Sequence, residues 1–404
     1  MLPLEEAREF SSAHAESFFE NLPPAPAVCL IELRESHSEP LLIRTQNLRR
    51  RLQRLLGPPD STSKRLNLRE VAREVKYRAT GSPFEQSLTY YHHAKRIFPN
   101  RYRDLMRMRP PAVLKVSVKS AYPRCYVTRH VSADDPAMPR GAGCYGPFPS
   151  RRAAAAFAER SLDFFKVRRC HIKIRRDPSF PGCIYSEMKM CLAPCFAGCS
   201  NEEYDVEVRR FVEFLESAGE SLHEAYERER ERASEDLDFE RAATMHKKIE
   251  KLEEVLRAKP DLVRRIGALD AVILQRSTEQ QTVSLFRLLG GRLSEPFFLK
   301  FGEMASQPRS AEHVVRGYLD PDSIPQDANA LGETAPAQVA ANHPQLSAAE
   351  NKSELSEHLW LLARWYYSNP REGEIFFRQK DWPYRRLLRA CSRLLAPRAS
   401  PAAE

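Results

Sequence analysis

Residues 170–199 hold five of the nine cysteines in this 404-residue chain, and no other stretch constrains the fold as strongly. Four thiolates that converge from one short loop can hold a compact inorganic centre. Prolines and a glycine between the cysteines supply the turns that such a loop needs. The density therefore predicts a metal or Fe–S centre rather than unligated core cysteines. The four expected ligands are separated by twelve, seven and three residues: Cys170, Cys183, Cys191 and Cys195.

Spacing alone leaves other interpretations of this loop open. Four thiolates also form a closed tetrahedral zinc site, although CxxC pairs are the commoner zinc spacing and the sequence contains none. Cys199, four residues after Cys195, is either a substitute ligand or a bystander. Disulfides are disfavoured, because the acidic N-terminus MLPLEEAREF lacks the apolar segment of a secretory signal, which indicates a cytoplasmic, reducing compartment. The apolar runs are also too short to span a bilayer.

The charge of the chain is unevenly distributed. Residues 1–200 carry 34 Lys and Arg against 19 Asp and Glu, a balance of +15. Residues 201–260 carry 11 against 18, a balance of −7, and the remainder is nearly neutral. The first half therefore suits a polyanion, and the acidic middle suits a protein partner.

The first hundred residues alternate between helical and strand-like patterns. Apolar spacing predicts an N-terminal helix within residues 1–22, and the apolar runs 27–33 and 41–44 predict a β-hairpin. Asn47 is the expected N-cap of a following helix whose leucines face inward. The outward-facing arginines of this helix form either a solvated face or a phosphate-binding surface, and they are Arg49, Arg50, Arg51 and Arg54.

The second half begins with the clearest helical pattern in the chain. Residues 201–257 predict three amphipathic helices, which form either an intramolecular hairpin or a docking element for a partner. Residues 304–352 are rich in Ala, Pro, Gln and Asn and contain few apolar residues, which predicts a flexible linker. A helix, a strand-like segment and a last helix follow within residues 353–404.

Several segments resemble one family, the bacterial UvrC proteins, which are the C subunits of excinuclease ABC. PAVCLIEL and PLLIRTQNLRRRLQRLLG are similar to the opening of that family's GIY-YIG nuclease domain. CYGPFPSRRAAAAFAERSLDFFKVRRC resembles its YFGPFPS turn, helix and first cysteine, and the spacing that ends in CLAPC resembles its Fe–S loop. DLDFERAATMHKKIEKLEEV is similar to the UVR motif through which UvrC docks on UvrB. LDAVILQRSTEQQTVSLFRLLGGRLSEPFFLKFGE resembles the start of the RNase H-like region.

This resemblance implies an α+β fold with several parts. After the N-terminal helix (1–22), the expected order is a degenerate, small mixed-sheet GIY-YIG-like domain (23–110), a basic linker region with the cysteine loop (111–200), a helical region (201–260) with the UVR helical hairpin at about 230–257, the start of an RNase H-like α/β segment (261–303), the linker (304–352) and a C-terminal helical remnant (353–404).

The departures from the family pattern fall on its cutting residues. The first family tyrosine corresponds to Cys29, and the YVG motif corresponds to the apolar residues 41–43. The family arginine is retained as Arg51, whereas the metal-binding glutamate corresponds to Tyr90 or its neighbours. Glu85 is a remote substitute for that glutamate. Because apolar side chains cannot bind Mg²⁺ or move protons, the sequence predicts a domain with no intact catalytic set and no catalytic divalent metal.

The resemblance also implies a cofactor and partners. The expected cofactor is a [4Fe–4S] cluster on the four cysteines, with zinc as the alternative. The expected partners are DNA and a UvrB-like protein, in a role without incision. The alternatives are an active nicking endonuclease and an adaptor that binds no DNA. The DNA-binding candidates are Arg44, Arg49, Arg50, Arg51, Arg54, Lys166, Arg168, Arg169, Arg175 and Arg176. The partner-binding candidates are Leu237, Phe239, Ala242, Ala243, Ile249 and Leu252.

Overall fold

Three small antiparallel sheets with helices packed on them organise the chain, which confirms the α+β class. The computed structural model describes residues 2–35, 37–59, 66–117, 120–132, 143–304, 310–321 and 348–396. Within these ranges no helix is long and apolar enough to cross a membrane.

The N-terminal sheet has the strand order β1-β4-β2-β3. Asn47 caps α2 as expected, since its side-chain oxygen accepts a hydrogen bond from the Arg50 N–H at 2.9 Å. The inward leucines of α2 are buried against the sheet. The elements of this part are β1 (Glu6–Glu9), α1 (Ala15–Glu20), β2 (Ala27–Leu33), β3 (Leu41–Thr45), α2 (Leu48–Leu56), β4 (Ala72–Ala79) and α3 (Pro83–Ile97).

The N-terminal segment corrects one expectation. A single helix was expected within residues 1–22, but only α1 is α-helical, and β1 pairs antiparallel with β4. Backbone hydrogen bonds to β4 hold β1 at the edge of the sheet. The pattern of side chains in the sequence does not reveal such bonds. Phe10, Phe18 and Phe19, which shaped the helical pattern, pack together as an aromatic cluster instead.

The middle sheet has the strand order β6-β5-β7-β8 and is covered by helices. The three helices expected over residues 201–257 are present, and α8 packs closely against α9. Tyr204, Phe211 and Leu252 share one core with the sheet and with α5. The elements are α4 (Tyr102–Leu105), β5 (Ala112–Val116), β6 (Cys125–Thr128), β7 (Cys144–Phe148), α5 (Arg151–Leu162), α6 (Ile184–Glu187), α7 (Asn201–Glu216), α8 (Glu220–Glu235), α9 (Phe239–Arg257) and β8 (Arg264–Arg265).

The third sheet has the order β11-β10-β9-β13, with β12 paired to β10. Its described strand pairs are all antiparallel, and the RNase H-like expectation for residues 261–303 stays a prediction. The remaining elements are β9 (Ala271–Arg276), β10 (Thr282–Leu289), β11 (Arg292–Leu293), β12 (Phe297–Lys300), α10 (Phe301–Met304), α11 (Ala311–Leu319), α12 (Ala348–Tyr366), β13 (Glu374–Phe377) and α13 (Tyr384–Leu395).

The linker expected over residues 304–352 is partly corrected. Helix α11 lies inside that range, and Val315, Tyr318 and Leu319 bury one of its faces in a core shared with α13. Five of the nine residues of α11 are apolar or aromatic, but the polar composition around them predicts a linker. Residues 305–309 and 322–347 of this expected linker lie outside the described residues.

The C-terminal segment is integral to the fold rather than a remnant. Strand β13 pairs with β9 and so completes the third sheet. Leu359 and Leu362 of α12 are fully buried in the core that also holds Leu88 of α3 and Phe286 of β10. Helix α12 therefore joins the N-terminal part to the third sheet.

A buried carboxylate strengthens the junction between α3, α4 and α12. Glu357 accepts hydrogen bonds from the Tyr91 and Tyr102 hydroxyls at 2.7 and 2.6 Å, and from the Arg103 guanidinium at 2.8 Å. Burial raises the pKa of the Glu357 carboxyl, but the bonds from Tyr102, Tyr91 and Arg103 together outweigh burial, so the pKa lies below its ordinary value of 4.5.

This network makes the junction sensitive to acid. A carboxyl whose pKa is depressed by folding contributes stability above its unfolded pKa and loses it as the pH falls through the folded value. We expect thermal stability to fall below about pH 4.5. A Glu357→Gln variant should lose on the order of 3 kcal/mol at pH 7 and show a weaker acid dependence. Thermal unfolding between pH 7 and pH 3 measures both, with the exposed Glu213→Gln as the matched control. Equal acid dependence in both variants would contradict this role.

Candidate cysteine centre and nucleic-acid surface

The cysteine loop is held by backbone hydrogen bonds rather than by long regular elements. The Cys195 carbonyl accepts from the Asp177 N–H at 2.9 Å, and the Lys166 carbonyl accepts from the Leu192 N–H at 3.0 Å. Cys183 precedes the single turn of α6, where the Ser186 hydroxyl donates to the Cys183 carbonyl at 2.6 Å. These bonds bring distant parts of the loop together.

Three non-glycine residues of this loop adopt left-handed backbone conformations. The φ angles of Lys189, Ala193 and Ala197 are 56°, 56° and 64°. Each such residue costs roughly 1 kcal/mol, and such conformations persist only where the surrounding structure imposes them. Ala193 and Ala197 flank Cys195, so the strain is concentrated at the expected ligands.

The four expected ligands lie within electrostatic reach of one another. Burial raises the pKa of the Cys191 thiol to about 11, and Cys170, Cys195 and Cys183 add to that rise. Burial also raises the pKa of Cys195, with further contributions from Cys183 and Cys170. Cys170, Cys183 and Cys195 therefore lie near enough to Cys191 to raise the pKa of its thiol, and the four-ligand site stays a prediction.

Arg168 supplies a buried positive charge beside the thiols. Its side chain is buried and donates to the carbonyls of Tyr122 and Ile172, both at 2.9 Å, and to the Cys170 Sγ at 3.6 Å. No carboxylate pairs with it in the described part of the chain. A buried cation is costly without a negative partner, and a thiolate-bound group beside Cys170 would supply one.

Across the described ranges, no three His, Cys, Asp or Glu side chains are arranged to hold a metal ion. A tetrahedral zinc ion requires four sulfurs around one point, whereas an iron–sulfur cluster is larger and holds its thiolates further apart. Cys199 is buried in the core beneath α7, and its electrostatic neighbours are Glu203, Arg176 and Cys195.

The positions of the family's first tyrosine and of its YVG motif lie against apolar cores. Cys29 is fully buried between β3 and β4, and burial raises the pKa of its thiol. Leu41 and Ile43 pack towards the same core as Cys29, and Leu42 is buried in the core on the other face of the sheet. Residues 41–43 offer neither a metal ligand nor a group that can transfer a proton, and the Cys29 thiol is enclosed in the core.

Glu85 is a structural residue and does not replace the missing glutamate. It is 1% exposed, and its carboxylate accepts from the Gly81 N–H at 3.0 Å at the start of α3. Burial raises its pKa despite this bond and despite Arg78, whose Nε lies 3.7 Å away. A carboxylate enclosed in this way cannot hold a hydrated divalent cation at the surface.

The arginines of α2 divide into two groups. Arg49 donates to the carbonyls of Leu22 at 2.8 Å and Glu20 at 2.9 Å, so it anchors the N-terminal segment and is not available to DNA as expected. Arg50 and Arg54 are exposed, Arg51 is half-buried, and none of the three has an ion-pair partner among the described residues. These three side chains form the α2 basic face.

The basic residues near the cysteine loop also divide. Besides Arg168, Arg169 is occupied, because it pairs with Asp163 at 2.9 Å and is 13% exposed. Both are corrected to structural roles, since internal acceptors hold their guanidinium groups. Lys166 and Arg175 are exposed, and the exposed Arg176 donates to the Asn201 side chain at 3.0 Å.

The turn between α8 and α9 displays two apolar side chains to solvent. Leu237 is 71% exposed and Phe239 is 69% exposed. Leu237 has a φ of 57° and closes α8, where glycine is the usual residue. The fold thus keeps a strained, exposed leucine at the tip of the hairpin. We call Leu237 and Phe239 the hairpin tip.

The other partner-binding candidates lie along α9. Ile249 and Leu252 are buried against the protein, which corrects their expected role at an interface. They lie on the face of α9 that packs against the rest of the protein, and Leu252 is part of the core that covers the middle sheet. Ala242 is half-buried and Ala243 is exposed, so both remain close to the hairpin tip and open to a partner.

Two residues that sequence reasoning missed lie on α12. Trp360 and Arg364 are one helical turn apart, and the Arg364 guanidinium lies 5.3 Å from the Trp360 ring centroid. The sequence signal was the interleaving of aromatic and basic residues in HLWLLARWYYS. The interpretation of residues 353–404 as a helical remnant does not account for that signal.

The chain is similar to excision-repair proteins. The family described as the UvrC/Cho excinuclease middle domain matches residues 112–214, a range that includes the cysteine loop. The UvrABC system protein C of Carboxydothermus hydrogenoformans is 29% identical over 310 residues, which are 76% of this chain and 49% of that protein. The corresponding protein of Dehalococcoides mccartyi (strain CBDB1) is 26% identical over 275 residues, 68% of this chain and 44% of its own length. That of Psychrobacter arcticus is 31% identical over 183 residues, 42% and 29% respectively. The chain thus spans about half the length of the first two relatives. No solved structure matches it.

Proposed function

The chain is a divergent member of the UvrC family, and on that basis we propose that it serves nucleotide excision repair by binding DNA and docking a UvrB-like protein, without incision by its N-terminal domain. One contrast supports this proposal. Cys29 and Leu42 are buried and Leu41 and Ile43 are half-buried apolar side chains, whereas Arg50 and Arg54 of the α2 basic face and both residues of the hairpin tip are exposed.

The absence of incision follows from the chemistry of the N-terminal sheet. Phosphodiester cleavage needs a divalent cation on a carboxylate and a group that activates water. Cys29 and residues 41–43 provide neither, and the Glu85 carboxylate is enclosed. Of the family's cutting residues, Arg51 is retained, and its charge can neutralise a phosphate, which is sufficient for binding but not for cleavage.

DNA binding is assigned first to the α2 basic face. Arg50, Arg51 and Arg54 project from one short helix whose opposite face is anchored in the core. Cations held on a rigid element can track a phosphate backbone without reading its sequence. Lys166, Arg175 and Arg176 extend the set of exposed cations near the cysteine loop.

Docking is assigned to the hairpin tip. Exposed aromatic and aliphatic side chains surrounded by charge are the usual core of a small protein–protein contact. The charged residues of α8 and α9 provide that rim, and the acidic balance of residues 201–260 suits a partner with a basic patch. The proposed partner is a UvrB-like protein, in line with the UVR resemblance of this segment.

The cysteine loop is proposed to hold a [4Fe–4S] cluster through Cys170, Cys183, Cys191 and Cys195. Bound there, the cluster would cross-link a strained loop and offset the buried charge of Arg168. Its role in this proposal is structural. Zinc stays the alternative occupant, to be distinguished by metal content.

An adaptor that docks the partner but binds no DNA is a second candidate, because the hairpin tip is exposed independently of the basic face. Salt dependence separates the two, since DNA affinity falls steeply with added salt in proportion to the phosphates neutralised. An adaptor would show no such binding. The test therefore needs variants that remove specific cations.

We expect an Arg50→Gln/Arg54→Gln double variant to bind duplex DNA more weakly. Removing two phosphate contacts should reduce the slope of log affinity against log salt by about 2. Fluorescence anisotropy of a labelled duplex at several salt concentrations measures the slope. The matched control is Arg385→Gln/Arg389→Gln, which removes two exposed arginines from α13. An unchanged slope would remove the α2 basic face from the proposal, and no duplex binding by the natural chain would favour the adaptor.

A further inference from the structure

A cavity of about 500 Å³ lies where α4, the segment after β6 and helix α12 meet. The size is within the range of about 300–1,000 Å³ that accepts a small organic ligand or one nucleotide unit. Basic side chains dominate its charged lining, and they are Arg103, Lys115, Arg129, His130 and Lys352. Glu357 is the one carboxylate among the described lining residues.

Among the described residues, the positive charge of this cavity is not balanced from within. Glu357 is already occupied by Arg103 and two tyrosines, so it cannot offset the other cations. Lys115 donates to the Ser132 hydroxyl at 3.2 Å, a neutral partner. In the ranges that the structure covers, no carboxylate pairs with Lys115, Arg129 or Lys352. A concave site with unpaired cations attracts an anionic ligand.

An aromatic and basic path leads out of the cavity along α12. Trp360 forms part of the cavity wall, and the Arg364 guanidinium stacks over its ring at 5.3 Å. Arg364 lies close enough to Arg44 of β3 to add to the effect of burial in lowering the Arg44 pKa. Arg44 in turn lies over the Tyr90 ring of α3, 5.8 Å from its centroid. No carboxylate among the described residues pairs with either arginine.

This alternation of rings and cations has a specific chemical match. Single-stranded nucleic acids are bound by stacking bases on aromatic rings and by following the phosphates with cations. A cavity for one nucleotide unit beside such a path fits a flexible strand, whereas the bases of a duplex are stacked inside and cannot reach Trp360. An acidic protein segment would pair with the cations, but it would supply no bases to stack on the rings of Trp360 and Tyr90.

We propose that this path, from Tyr90 and Arg44 across Arg364 and Trp360 into the cavity, binds one unpaired strand of DNA. The inference rests on the proposed function, because it assumes that the chain meets DNA, and it adds a second surface distinct from the α2 basic face. In this proposal α12 supplies residues to both parts of the path, Trp360 at the cavity and Arg364 near Arg44 of the N-terminal sheet.

The fluorescence of Trp360 provides a direct test on the full chain. The chain has three tryptophans, and Trp365 and Trp382 are 6% and 3% exposed, so acrylamide quenching reports mainly on the half-buried Trp360. Adding a fifteen-nucleotide oligothymidylate should protect Trp360 from acrylamide, and a duplex of the same length should not. A Trp360→Phe variant assigns the signal, because it should remove the quenchable fraction.

Surface variants keep the test independent of folding. Arg129→Gln and Arg364→Gln should each weaken oligothymidylate binding, roughly fivefold to tenfold, whereas the exposed Arg389→Gln on α13 should not. Duplex binding through the α2 basic face, measured in parallel, should be unchanged in all three. Oligothymidylate binding that leaves Trp360 quenchable, or that is insensitive to both variants, would overturn the proposal while the proposed function stands. Equal protection by duplex would overturn its single-strand specificity. No binding of either DNA would reject both proposals.

Discussion

A Leu237→Gly variant is expected to be at least as stable as the natural chain, yet to bind a UvrB-like protein about tenfold more weakly. Glycine adopts the left-handed backbone of this position without steric cost, so the variant relieves roughly 1 kcal/mol of strain. The lost leucine is 71% exposed and makes little contribution to the core. Its removal takes one apolar contact from the docking surface, worth on the order of 1.4 kcal/mol or tenfold in affinity.

Opposite effects on stability and binding distinguish a docking residue from a structural one. Chemical denaturation gives the stability, and isothermal titration with a purified UvrB-like protein gives the affinity. Gln281→Gly is the matched control, because Gln281 is also exposed with a left-handed φ of 54° but lies in the turn between β9 and β10. The control should gain similar stability without loss of affinity. A Leu237→Gly variant with unchanged affinity would exclude the hairpin tip as the docking site, and Phe239→Ala should show the same weakening.

A Cys191→Ser variant is expected to lose the proposed cluster entirely. The natural chain, purified without oxygen, should contain about four irons with matching sulfide and show broad visible absorption, and the variant should retain almost none of these. The proposed cluster uses four thiolates, and serine at position 191 would leave three. Elemental analysis and the visible spectrum of both proteins make the measurement.

Cys199→Ala is the matched control for this result. Cys199 is buried in the core beneath α7, so its replacement should preserve the iron and the colour. Loss of iron in Cys199→Ala but not in Cys191→Ser would exchange their roles. One zinc per chain and no colour would keep a four-thiolate loop but reject the iron cluster. Neither metal in the natural chain would contradict the assignment of this loop as an inorganic centre.

The sequence predicts correctly those elements that depend on contacts between residues close together in the chain. The capping of α2 by Asn47 and its buried leucines follow from residues at most nine positions apart. The three helices of residues 201–257 are likewise set by their own apolar stripes.

Long-range contacts explain what the sequence did not reveal. The pairing of β1 with β4 and the capture of Arg49 and Arg168 by backbone carbonyls depend on segments far apart in the chain. The same holds for α12, whose role follows from Glu357 meeting Tyr91 across 266 residues. The backbone of Leu237 is a further case, since no residue pattern indicates a leucine in the left-handed region.

Incision of a damaged duplex tests most directly whether the N-terminal domain binds DNA without cutting it. The full chain, a UvrB-like protein, Mg²⁺ or Mn²⁺ and a duplex with one lesion would be incubated together, and strand length would be resolved on a denaturing gel. The expected result is a salt-sensitive complex in which both strands stay intact. A metal-dependent nick that persists in Arg389→Ala but disappears in Arg51→Ala would contradict it, because cutting would then depend on the N-terminal sheet.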